Sequence, residues 1–69
     1  MNTIQYYRKK LGMTQMELAD ILGVTQGSIT NWEVGIRKPD IFMLKRLAEV
    51  LQCTTDDLLS ESTTNQADD

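Results

Sequence analysis

The stretch from Thr14 to Gly35 constrains this chain more than any other part of it. Thr14 followed three residues later by Glu17 forms a capping box, in which two side chains satisfy two backbone donors that a helix start leaves unpaired. Behind that cap Leu18, Ala19 and Leu22 recur at helical spacing, with Met16 and Ile21 on the flanks. Gly23 then supplies a residue that adopts the left-handed conformation without strain, so the helix ends there. A second helix follows at once: Thr25 is its N-cap, Ile29 and Trp32, with Val24 before them, form its inward face, and Gly35 stops it. About two residues separate the helices, and Ala19 is small enough for a close crossing, so the pair is predicted to pack at a steep angle.

The flanking sequence reads as three further helices. Residues 3–11 are predicted to be helical, capped by Asn2 or Thr3, with Ile4, Tyr7 and Leu11 on the buried side and Gly12 as the stop. Tyr6, Lys9 and Lys10 fall on exposed faces, and Arg8 sits at the edge of the buried stripe, where an arginine needs a partner. Ile36 to Pro39 is a loop, because Pro39 disfavours helix at Lys38. Asp40 caps a helix over 41–51 that turns Ile41, Leu44, Leu47, Ala48 and Leu51 inward. Phe42, Met43 and Val50 lie off that stripe, either closing over the core edge or forming a contact patch. Thr54 with Asp57 starts a last short helix whose Leu58 and Leu59 are expected to reach the core. With no strand pattern, the expectation is an all-α, compact five-helix domain over residues 1–60, followed by an acidic, disordered tail over 61–69.

Composition removes several kinds of chemistry. At 69 residues the core is marginal, so close helix packing or dimerisation would help. One cysteine and no histidine leave no disulfide framework, no Cys/His zinc site and no histidine-based nucleophile, and Cys53 is expected to be a core or half-buried thiol and not a reactive one. There is no paired-carboxylate or glycine-rich phosphate constellation, so neither an enzyme nor a cofactor is expected. No apolar run approaches the roughly 20 residues that cross a bilayer, and no secretory signal is visible, which predicts a cytoplasmic chain without a membrane partner.

The order Ile4 and Arg8, then Thr14-Gln15, Glu17-Leu18-Ala19, Leu22-Gly23-Val24, Ile29, Trp32-Glu33-x-Gly35, Pro39, Leu44, Leu47-Ala48, Leu51 and Asp57-Leu58-Leu59 resembles the lambda-repressor-like helix-turn-helix family. The resemblance covers about residues 3–60, with caps, glycines and core positions agreeing in spacing. It implies that the third helix, about residues 26–34, enters the major groove of double-stranded DNA, which admits one α-helix. The residues expected to face the bases are Gln26, Gly27, Ser28, Thr30 and Asn31. Gln and Asn each present an acceptor and a donor, which suits adenine N6 and N7. Gly27 stands where many relatives carry a base-reading side chain, so one contact is expected to be missing.

For the phosphates the resemblance and the charge pattern indicate Arg8, Thr14, Gln15, Thr25, Arg37 and Lys38; the resemblance also implies that Gln15 braces the third helix and pairs Arg8 with Glu33. Lys9, Lys10, Lys45 and Arg46 are expected to be solvated charges. The net charge of −3 does not oppose this, because residues 1–46 hold all seven basic residues against four acids, while 47–69 hold six acids and no base. Fields are screened beyond about 8 Å at physiological salt, so the acidic end leaves a basic face free to act. The resulting expectation is a DNA-binding transcriptional repressor that binds a palindromic operator as a homodimer, without a small-molecule ligand. Relatives of this size dimerise near the last helix, which indicates Thr55, Asp57 and Leu58, although Asp56 and Asp57 would place like charges near the axis. An antitoxin or restriction-modification control protein would use the same fold, and a protein-binding adaptor is the competing class.

Overall fold

A computed structural model of the protein describes residues 3–59. It has five helices: α1 (Thr3–Lys10), α2 (Gln15–Leu22), α3 (Gln26–Val34), α4 (Ile41–Val50) and α5 over residues 55–59, with no strand among the described residues. The cap at Asn2 and the tail from residue 61 lie outside the described residues.

Local chemistry sets the helix ends. The Thr14 hydroxyl accepts from the Glu17 N–H at 3.0 Å while the Glu17 carboxylate accepts from the Thr14 N–H at 2.8 Å, so both orphan donors are satisfied. Thr25 accepts from Ser28 N–H, Asp40 from Met43 N–H, and Thr54 and Asp57 repeat the reciprocal exchange at the start of α5. Gly23 takes φ +73° and ends α2, leaving two residues before α3 starts. At that φ a side chain would crowd the following carbonyl, so glycine is the residue that permits so short a turn.

Ile4, Leu18, Ala19, Leu22, Ile29, Leu44, Leu47, Ala48, Leu51 and Leu58 form the core, with Tyr7, Met13, Val24, Trp32, Met43, Val50 and Cys53 packed against it. Three residues expected inside are exposed instead. All three lie at or just beyond a helix end: Leu11 is the residue after α1, Ile41 the first of α4, and Leu59 follows the buried Leu58 in α5. The off-stripe residues of α4 divide: Met43 and Val50 close over the core, and Phe42 stands out at 77% exposure.

Polar contacts tie distant elements together. The Thr3 hydroxyl donates to the Leu58 carbonyl at 2.8 Å, fastening α1 to α5. Arg46, expected to be a solvated charge, instead donates from Nη1 to the Leu22 carbonyl at 3.0 Å and from Nη2 to the Ile21 carbonyl at 3.4 Å. It thus answers carbonyls that the end of α2 leaves unpaired, with a charge that suits the negative pole of that helix.

Candidate nucleic-acid interface

The polar centre of the molecule begins at the contact between α1 and α3. Arg8 in the last turn of α1 and Glu33 in the last turn of α3 are both buried. Arg8 Nε donates to Glu33 Oε2 at 2.6 Å and Nη2 to Oε1 at 3.1 Å, a two-point pair, while Nη1 donates to the Met13 carbonyl at 2.8 Å. Such burial is tolerable because the charges meet in fork geometry, and no buried side-chain polar atom among the described residues lacks a partner. Three Arg8 N–H groups are therefore engaged within the chain, so its geometry is that of the ion pair more than of a phosphate contact.

From Glu33 the network runs outward to the surface. Gln15, the first residue of α2, donates from Nε2 to Glu33 Oε1 at 3.0 Å. Its Oε1 accepts from the Thr30 hydroxyl at 3.0 Å and from Gln26 Nε2 at 3.4 Å. Thr30 Oγ1 also lies 3.2 Å from the Gln26 carbonyl, the back-bond that a helical threonine makes to the preceding turn. A chain of bonds thus joins the buried charge pair to the exposed first residue of α3.

The other expected residues fall around this centre. Thr25 and Ser28 are bonded to each other at the start of α3, with their hydroxyl oxygens 3.2 Å apart. Gly27 is exposed; a Cβ placed on it would have only Thr25 Oγ1 nearby, at 3.8 Å, so the fold does not require glycine there. The Asn31 carbonyl accepts three N–H groups, from Gly35, Ile36 and Arg37, and this fixes the path of the loop that follows α3. Arg37 and Lys38 stand exposed in that loop, at the end of α3 opposite Gln26. Thr14 spends its N–H and hydroxyl oxygen on the cap of α2. Lys10 lies 5.9 Å from the Tyr6 ring, and that ring meets Tyr7 edge-on.

At the far end of the chain Leu58 is buried in the core, Asp57 accepts from the Thr54 N–H, and Thr55 is half-buried. Cys53 and Tyr7 sit near Asp57. Burial pushes the Cys53 thiol up, with the Asp57 charge adding to it; the Tyr7 hydroxyl is raised by desolvation, then by Asp57, Cys53 and Tyr6. No group of His, Cys, Asp and Glu that could hold a metal occurs among the described residues, nor is any helix there long and apolar enough to cross a membrane.

Sequence reasoning missed the bonds of Arg46; for Gln15 the resemblance implied a brace on the third helix, as its contacts with Thr30 and Gln26 show, but not which residues it holds. Neither had a local signal: Arg46 reaches back 24 residues to Leu22, and Gln15 is 15 residues from Thr30.

The arrangement matches known proteins along nearly the whole described chain. The helix-turn-helix family model matches residues 4–58. An uncharacterised HTH-type transcriptional regulator of Methanothermobacter thermautotrophicus is 42% identical over 48 residues, covering 70% of each chain. YqaE, an uncharacterised HTH-type transcriptional regulator of Bacillus subtilis, is 38% identical over 75% of this chain and 45% of its own length. The HTH-type transcriptional regulator DicA of Escherichia coli is 41% identical over 74% of this chain and 38% of its own. This chain thus spans less than half the length of the latter two relatives. No solved structure gives a significant match. Matched by that family model over residues 4–58, and with a relative 42% identical over 70% of each chain, the chain belongs to the lambda-repressor-like helix-turn-helix family.

Proposed function

We propose that this chain is a sequence-specific transcriptional regulator that represses by binding a two-fold symmetric DNA operator as a dimer, with α3 in the major groove. The observation that carries this reading is the hydrogen-bonded set of Gln15, Gln26 and Thr30 at the exposed start of α3. A glutamine held by its neighbour and facing solvent has lost much of its rotamer freedom before any ligand arrives, which favours binding. Gln26 and Asn31 read bases, with Gly27, Ser28 and Thr30 on the same helix. Gln15, Thr14, Thr25, Arg37 and Lys38 hold phosphates, and Arg8 acts through Glu33. Dimerisation uses the end of the chain around Thr55 and Asp57, with Leu58 anchoring α5 and the exposed Leu59 offering apolar contact. Asp56 and Asp57 oppose their own copies there, so the dimer is weak without DNA.

Titration of duplex DNA by fluorescence anisotropy at increasing salt tests the reading. Each phosphate neutralised contributes a slope of about −0.9 in log affinity against log salt, so binding falls steeply. Affinity that does not change with salt contradicts the reading.

A further inference from the structure

The last four carbonyls of a helix have no partner within it, and in α2 these belong to Ala19, Asp20, Ile21 and Leu22. The turn itself answers two of them. Val24 N–H donates to the Ala19 carbonyl at 3.0 Å and Gly23 N–H to the Asp20 carbonyl at 3.3 Å, the pairing that a left-handed glycine gives a helix end. The other two are taken by one side chain from another helix: Arg46 of α4 donates from Nη1 to the Leu22 carbonyl at 3.0 Å and from Nη2 to the Ile21 carbonyl at 3.4 Å. We infer that Arg46 is a positioning residue for DNA recognition: it clamps the peptide at which the chain leaves α2, and so fixes the angle at which α3 leaves the turn. The inference rests on the reading of α3 as the helix that enters the major groove.

The Leu22 carbonyl belongs to the peptide unit that joins Leu22 to Gly23, so a donor fixed on it opposes rotation about Leu22 ψ and Gly23 φ. Such a restraint is needed there. Gly23 adopts φ +73° and ψ 30° without strain, but a glycine has more accessible conformations than any other residue and does not enforce this one. After it only Val24 and Thr25 precede Gln26, so a rotation at Gly23 passes into α3 with little chain to absorb it. The last turn of α3 is held separately, through Glu33 to Arg8 and Gln15.

Arginine suits the task because its planar fork grips two acceptors in one fixed geometry, whereas a lysine ammonium is a point charge on a flexible stem. Among the described residues Arg46 has no ion-pair partner; its bonds go to the backbone of α2. α4 thereby holds the corner between the two helices that the turn alone leaves hinged.

The test compares wild type with Arg46→Met, which keeps the stem and removes the donors, Arg46→Lys, which keeps the charge without the fork, and Ile4→Val, which weakens the core in α1 and controls for lost stability. Each is titrated, at a temperature where it is folded, with the duplex selected by the wild type and with a scrambled duplex of the same length. The ratio of the two affinities cancels a general loss of charge. Arg46→Met is expected to lower this ratio at least about threefold at an unchanged salt slope, and Ile4→Val to leave it within about twofold. Arg46→Lys is expected to stay at least about twofold below wild type, and carries the test if Arg46→Met does not fold. In parallel, backbone residual dipolar couplings of the DNA-free protein should report one α2–α3 angle in wild type and Ile4→Val, and a changed or averaged one in the Arg46 variants. Unchanged couplings, a wild-type ratio in Arg46→Met, or full recovery with lysine overturns the inference while leaving α3 as the reader. So does a salt slope shallower by about 0.9 for each bound copy, which would make Arg46 a phosphate ligand. A wild type with no preference among DNA sequences overturns the reading of α3 itself, and the role of Arg46 with it.

Discussion

Gln15 Nε2 lies 3.0 Å from Glu33 Oε1, and this one hydrogen bond couples the start of α2 to the last turn of α3 through a buried charge. Glu33 thereby serves two partners, the guanidinium of Arg8 on the inner side and the Gln15 amide on the outer. The stability of the domain and the shape of its exposed polar surface accordingly depend on the same carboxylate.

Removing either charge should be costly. Arg8→Ala or Glu33→Ala leaves its partner buried and unpaired, with an expected loss of about 3 kcal/mol in urea unfolding. Arg8→Ala combined with Glu33→Ala removes both charges and is expected to lose less than the two single losses added together. Strict additivity would mean that the pair does not act as a unit.

Gly27 gives the opposite sign. Its φ is not in the left-handed region, and the space around a Cβ is open. Gly27→Ala is expected to stabilise the domain by up to about 1 kcal/mol, read as a higher urea midpoint at unchanged m-value. Weaker DNA binding by the same variant would show that the missing Cβ is needed by the DNA and not by the fold; a lower midpoint would contradict the open geometry.

Much of this was legible along the chain, where the interactions are local. The Thr14/Glu17 and Thr54/Asp57 exchanges, the Thr25 and Asp40 caps and the Gly23 stop each span a few residues, and spacing alone identifies them. The errors sit where helical spacing was carried past a helix end or into a first turn, at Leu11, Ile41 and Leu59. The pairing of Arg8 with Glu33 came from the family resemblance, since 25 residues separate them and no periodicity links α1 to α3. The Gln15 bonds to Thr30 and Gln26, and those of Arg46 to Leu22 and Ile21, arise from the packing of helices and have no trace in local sequence.

Arg46→Met keeps the aliphatic stem and removes the donors to the end of α2. It is expected to destabilise by about 1–2 kcal/mol and to speed amide exchange near Gly23 and Val24, measured by hydrogen exchange. Unchanged exchange there would show that water replaces the arginine without loss.

Alkaline pH should weaken the fold through Cys53 and Tyr7. Both groups are raised from their ordinary values of 9.0 and 10.0, so the folded chain holds its protons more tightly than the unfolded one. Their contribution is whole below pH 9.0 and is lost as pH rises through the folded-state values. Thermal unfolding between pH 8 and 11 is expected to show this decline, and Cys53→Ala to flatten its first part; an identical decline in that variant would remove Cys53 as a cause.

The central claim is that the exposed start of α3 reads DNA sequence, and selection from a random duplex pool tests it most directly. Wild type should enrich a two-fold symmetric site with A·T pairs facing Gln26 and Asn31, and the Gln26→Ala, Asn31→Ala double variant should lose that preference while still binding DNA at low salt. No enrichment by the wild type, or the same enriched site in the double variant, would contradict it.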